Sequence, residues 1–177
     1  MRMMSARSST LLLVDIQARL MPAIDQGDAI VENARRLRDA ASLLGVPALL
    51  TEQNPRGLGP TVPALATPDA EIVPKMTFDA VRAPGLLERL ASTHAVVVGG
   101  CEAHVCVLQT ALGLIDRGRQ VFVVQDAVGS RRAESKAAAL QRLAHHGAEL
   151  VTTEMVIFEW LESAEHPRFR EAIALIK

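Results

Sequence analysis

Apolar residues alternate along this chain between short continuous runs and longer stretches with helical spacing. Leu11-Leu-Leu-Val before Asp15 predicts a first strand over Thr10–Ile16. Ile30, Val31, Ala34, Leu37, Ala41 and Leu44 then recur with a period near 3.6, and Gly45 supplies a helix stop. Strands follow over Val46–Thr51 and around Glu71–Val73. Pro84 suits the first position of a helix over Pro84–Ala91. Val96–Val98 reads as a central strand buried on both faces, ended by Gly99-Gly100. Val105, Leu108, Leu112 and Ile115 mark the next helix, with Cys106 in its first turn. A strand over Gln120–Gln125, a helix over Arg132–His146 stopped by Gly147, and a strand over Ala148–Thr152 complete the alternation.

Strands alternating with helices predict an α/β fold in three layers, a Rossmann-like open sheet of about six mainly parallel strands with helices on both faces. With 177 residues and no repeat or linker, residues 1–177 are expected to form a single domain. The formal net charge of −1 gives no electrostatic reason to expect nucleic acid or an anionic membrane as a partner. Hydrophobic residues make up 49% of the chain, and that excess points to a homo-oligomer. No stretch reads as a signal peptide or membrane span. Two cysteines, Cys101 and Cys106, form no disulfide framework and suit a cytoplasmic location.

The candidate chemistry gathers at strand ends. Unpaired backbone N–H groups at a helix start favour negative charge, so a thiol in the first turn is expected to have a lowered pKa and to act as a nucleophile. Cys106 is that thiol, although a buried structural cysteine is the competing reading. Asp15 ends an apolar strand on the side where open parallel sheets bind ligands. It either caps the turn or serves as a general acid and base. Lys75, fixed behind Pro74, is either a solvated surface charge or a cation that stabilises neighbouring anions. Phe78 is a candidate for the pocket wall or the core.

Gly99-Gly100-Cys101-Glu102-Ala103-His104-Val105-Cys106-Val107, followed by Gln109-Thr110-Ala111, resembles the nucleophile motif of the isochorismatase-like cysteine hydrolases. Leu11-Leu-Leu-Val-Asp15-Ile-Gln17, Pro74-Lys75-Met-Thr-Phe78 and Gln125-Asp126-Ala127 with Ser130 resemble further segments of that family. The resemblance runs from about Leu11 to about Thr153. It implies a catalytic triad of Asp15, Lys75 and Cys106, and a cis peptide at Cys101-Glu102. It also implies an oxyanion hole from the Glu102 and Cys106 backbone N–H groups, and a substrate pocket including Gln17, Phe78, Cys101 and Glu102. The implied reaction is cysteine-dependent hydrolysis of a small amide-like or other carbon–nitrogen bonded substrate through a covalent acyl-enzyme, with no cofactor.

Within the family, nicotinamidases carry an aspartate and histidines after the second strand. Here that loop reads Thr51-Glu-Gln-Asn-Pro-Arg-Gly-Leu-Gly-Pro-Thr-Val-Pro and has no histidine. Glu52 alone does not make a metal site, so no metal is expected. This pattern is most similar to the isochorismatase-domain-containing subgroup. True isochorismatases lack the nucleophilic cysteine, so Cys106 argues against their reaction. A non-catalytic or redox-sensing oligomeric binding protein of the same fold is the alternative, since Cys101 and Cys106 permit it. Dinucleotide binding is disfavoured because Gly99-Gly100 lacks the Gly-x-Gly-x-x-Gly pattern after the first strand.

Overall fold

Every residue of β1 (Ser9–Val14) is buried, which requires a layer of helices on each side of the sheet. The computed structural model describes residues 3–177. After β1 come α1 (Gly27–Leu44), β2 (Ala48–Gln53), α2 (Pro55–Leu58), β3 (Glu71–Lys75), α3 (Leu86–Arg89) and β4 (Ala95–Cys101). A π-helical turn at Ala103–Val107 leads into α4 (Leu108–Ile115). The chain continues through β5 (Val121–Gly129), α5 (Ala133–His145), β6 (Glu149–Val151), α6 (Thr153–Leu161) and α7 (Phe169–Ala174). All six strands are parallel, in the order β3-β2-β1-β4-β5-β6.

Alternation within the strands divides the apolar side chains between the two faces. Leu11, Leu13, Val97, Phe122 and Val124 pack with Ile30 and Leu37 of α1, Ile157 and Trp160 of α6, and Ala172 of α7. Leu12, Val14, Val96, Val98 and Val123 pack with Leu86 of α3, Leu114 of α4 and Leu143 of α5. The sheet is thus covered on both sides, as the alternating pattern predicts.

Several boundaries differ from the sequence reading. Asp15 adopts φ +52°, so β1 stops at Val14 instead of reaching Ile16. Val46 donates its N–H to Ala41 at the end of α1, and β2 begins two residues later and runs to Gln53. Strand β3 extends through Pro74 to Lys75; it is an edge strand, where proline's missing donor is tolerated. The helix expected over Pro84–Ala91 contracts to α3, because Gly85 at φ +82° separates Pro84 from it.

Gly99 and Gly100 do not end β4. The strand continues through both to Cys101. Gly100 is needed for a close approach, since a Cβ there would lie 2.0 Å from the Val14 carbonyl oxygen at φ +121°. Strand β5 outruns its expected end at Gln125 and reaches Gly129. Its pairing with β4 jumps from Val98↔Val123 to Gly100↔Val128, leaving Gln125 and Asp126 in an irregular bulge. Asp126 uses that position to accept hydrogen bonds from the Thr153 N–H at 2.8 Å and Oγ1 at 3.1 Å, which ties β5 to the start of α6.

Candidate active site

The strand order reverses between β1 and β4, and the carboxyl ends of such neighbouring strands form the ligand crevice of an open α/β sheet. Asp15 follows β1, Lys75 ends β3, and Cys106 lies in the π-helical turn after β4. Sixty residues of sequence separate Asp15 from Lys75, yet Lys75 Nζ donates to Asp15 Oδ2 at 2.7 Å with both side chains essentially excluded from solvent. Such a pair survives burial only when the remaining polar positions are filled. Thr51 Oγ1 fills Asp15 Oδ1 at 2.6 Å, and Gln53 Oε1 accepts from Lys75 Nζ at 3.0 Å. The carbonyls of Thr77 and Phe78 lie 3.2 and 3.4 Å from the same ammonium.

A cavity of about 340 Å³ opens in front of this network. Asp15, Gln53 and Cys106 line its interior, while Leu20, Leu58, Val105 and Phe78 supply apolar walls. Glu102 and Arg131 stand at the polar side. Lys75, paired with Asp15, does not itself line the cavity. Phe78, half-exposed, belongs to the wall and not to the core.

Two residues expected in the pocket lie elsewhere. Gln17 is fully buried; its Nε2 donates to the carbonyls of Gln53 at 3.1 Å and Gly59 at 2.7 Å, and its Oε1 accepts the Gln53 N–H at 2.8 Å. It braces the strand end that carries Gln53 and does not line the cavity. Cys101 is also fully buried and lines no part of the cavity.

The Cys106 thiol differs from the expected low-pKa nucleophile. Burial pushes its pKa up to about 12, and the Asp15 carboxylate adds to that rise, while Lys75 opposes it. The local helix start is a π-helical turn and not the first turn of an α-helix, and it does not outweigh desolvation. The resting group is therefore a thiol beside a carboxylate. Cys101 is likewise pushed up to about 12 by burial, opposed by a hydrogen bond from the Gly129 backbone.

The Cys101-Glu102 peptide is cis. The Glu102 carbonyl accepts from the Val105 and Val107 N–H groups at 3.0 and 3.2 Å, anchoring the turn that carries Cys106. Glu102 Oε2 accepts from both the backbone N–H and the Nε of Arg131 at 3.0 Å. In the following loop, Glu52 Oε1 accepts from the Thr61 N–H at 2.6 Å and Oγ1 at 2.8 Å, so its carboxylate fastens the loop. Among the described residues no group of three or more His, Cys, Asp or Glu side chains is arranged to hold a metal.

The family model described as the isochorismatase domain matches residues 9–155 of the chain. The chain belongs to this family. Isochorismatase domain-containing protein 2 of Homo sapiens is 43% identical over 173 residues, spanning 96% of this chain and 83% of that protein. Among solved structures, the isochorismatase-domain fold here is similar to the MAR1 ribonuclease from Caenorhabditis elegans, with a TM-score of 0.94 and 37% identity. That match covers 98% of this chain and 92% of the other. The YcaC gene product of Escherichia coli, described as an octameric hydrolase of unknown specificity, matches with a TM-score of 0.88 and 28% identity over 98% of this chain and 87% of its own.

The sequence reading missed three residues of this isochorismatase-domain chain that hydrogen-bond to the expected ones: Thr51 to Asp15, Gln53 to Lys75 and Arg131 to Glu102. Thr51 and Gln53 alternate along the end of β2, and that period-two spacing placed them on one side of the strand. Arg131 carried no local signal, because its role depends on the distant Glu102.

Proposed function

We propose that this protein is a cysteine-dependent hydrolase of a small amide-like or other carbon–nitrogen bonded substrate, acting through a covalent acyl-enzyme with Asp15, Lys75 and Cys106 as its triad. The observation that carries this reading is the Asp15 carboxylate and the Cys106 thiol facing one cavity, with the buried Lys75 ammonium paired to Asp15. Because Cys106 rests as a thiol, attack on the substrate carbonyl is coupled to transfer of the Sγ proton to Asp15. Sulfur bonds to carbon, and the carbonyl oxygen becomes an oxyanion received by the backbone N–H groups of Glu102 and Cys106. Asp15 then passes the proton to the departing nitrogen as the carbon–nitrogen bond breaks, leaving a thioester. Water next gives a proton to Asp15 and attacks the thioester carbon. The sulfur leaves and recovers the proton, and the acid product departs. Lys75 stabilises the carboxylate form of Asp15 between these transfers.

Gln53, Phe78 and Glu102 shape the substrate pocket in this reading. Its two free cysteines support the cytoplasm as its compartment. A homo-oligomer is supported by the octameric YcaC relative and by Met76 and Phe78, large apolar side chains exposed together after β3.

The deciding experiment is a screen of small amides, ureides and carbamoyl compounds for ammonia release, with Cys106→Ala beside the wild type. Release that depends on Cys106 is expected; release that persists in Cys106→Ala would overturn the mechanism. RNA belongs in the same screen because one relative carries the name ribonuclease. RNA cleavage as the sole Cys106-dependent reaction would replace the carbon–nitrogen assignment.

A further inference from the structure

A second cavity of about 360 Å³ lies beside the catalytic one, lined by His104, Arg131, Arg132 and Ser135. Arg131 lines both, so the two spaces share a wall. Among the described residues no carboxylate lines this annex, and Glu134 in the first turn of α5 does not reach it. Glu102 Oε2 fixes Arg131 at two points, its backbone N–H and its Nε, both at 3.0 Å. Among the described residues, neither Nη of Arg131 has a hydrogen-bond partner. Among the described residues, Arg132 forms no ion pair. With Glu102 offsetting one of the two guanidinium charges, the annex remains cationic. His104 is held facing it by the contact of its Nδ1 with Ser130 Oγ at 2.9 Å.

A guanidinium whose Nε is already occupied and whose two Nη groups are free presents a planar pair of donors suited to an oxyanion. We propose that this annex is the anion subsite of the catalytic cavity, and that the substrate joins its scissile carbon–nitrogen group to a carboxylate or phosphate. The proposal rests on the hydrolase reading and adds the chemical class of the substrate. Arg131 and Arg132 receive the anionic group. Glu102 is a positioning residue that aims Arg131. A neutral amide of the same length lacks this anchor and binds with lower affinity.

Iodoacetate and iodoacetamide test the subsite without knowledge of the substrate, since both transfer a two-carbon group to a thiol and differ in charge. The rate ratio of the anionic to the neutral reagent at Cys106, divided by the same ratio for free cysteine, is expected to exceed unity. It should fall about tenfold in Arg131→Ala, the loss of one charge-assisted hydrogen bond, and recover in part in Arg131→Lys. A normalised ratio at or below unity, or one unchanged in Arg131→Ala, would overturn the subsite. Calorimetric titration with inorganic phosphate gives an independent measure. Phosphate binding lost in the Arg131→Ala/Arg132→Ala double variant supports the subsite, and absence of binding to the wild type counts against it. If neither reagent modifies Cys106 while phosphate still binds in an arginine-dependent way, the hydrolase reading fails and the anion site stands.

Discussion

Thr51 holds Asp15 at both ends: its Oγ1 donates to Asp15 Oδ1 at 2.6 Å, and its carbonyl accepts the Asp15 N–H at 3.1 Å. The second bond persists in any variant, and the first needs a hydroxyl. Thr51→Val should therefore leave a buried carboxylate oxygen without its donor, lowering stability by about 1–3 kcal/mol. The turnover number should fall about tenfold with little change in KM, because a misdirected carboxylate impairs proton transfer more than binding. Thr51→Ser should keep most of both. Steady-state kinetics with equal activity in the serine and valine variants would remove Thr51 from the machinery.

Lys75 and Asp15 depend on each other inside the protein. Lys75→Met strands the Asp15 charge without its cation and should destabilise the fold by about 3–5 kcal/mol. Adding Asp15→Asn to that variant removes the stranded charge, so the double variant should regain most of the lost stability while remaining inactive. Urea denaturation of the three proteins measures this directly. A double variant no more stable than Lys75→Met alone would show that the pair is not the source of the loss.

Alkylation should distinguish the two cysteines by access. Cys106 lines the cavity, whereas Cys101 is sealed from solvent. Iodoacetamide in excess is expected to modify Cys106 alone in the folded protein. Its rate should keep climbing with pH toward about 12, because burial holds Cys106 as a thiol. A rate that levels off near neutral pH would reveal a thiolate at rest. Cys106→Ala should fold normally and lose hydrolysis.

The same burial links stability to alkaline pH. Both thiols are raised from 9.0 to about 12 on folding, so the folded protein holds those protons more tightly than the unfolded chain. Their contribution is complete below 9.0 and is lost as pH rises through about 12. Each thiol adds up to about 1.4 kcal/mol per pH unit to the decline within that window. In reducing buffer, the Cys101→Ala/Cys106→Ala variant should show a shallower alkaline loss than the wild type. Identical slopes would mean that other groups govern it.

Sequence periodicity revealed the parallel sheet because β1 and β4 carry unbroken apolar runs, and the period of α1 cannot suit a strand. The meeting of Asp15 with Lys75, and of Asp15 with Cys106 at one cavity, was legible through three ordered motifs. The thiol's ionisation was not, because desolvation depends on how Asp15 and the cavity walls close around Cys106, which no local pattern records. Gln17 was misplaced for a related reason. It sits two residues from Asp15, but the left-handed turn at Asp15 carries it onto the backbone of Gln53 and Gly59, where it is sealed from solvent. Helix α6 was readable in Val156, Ile157, Trp160 and Leu161, with Thr152 Oγ1 accepting the Met155 N–H at the start, and it was passed over.

Pro74 has one more effect. The sheet terminates on one side at β3, where proline interrupts the row of donors, and on the other at β6, three residues long. Neither border offers a long template for a foreign strand. Edge-to-edge pairing of copies through the strand that delivers Lys75 is therefore disfavoured. Crowded, partly unfolded molecules are correspondingly less prone to zip together along their sheets than a six-stranded parallel fold with two full-length flanks would be.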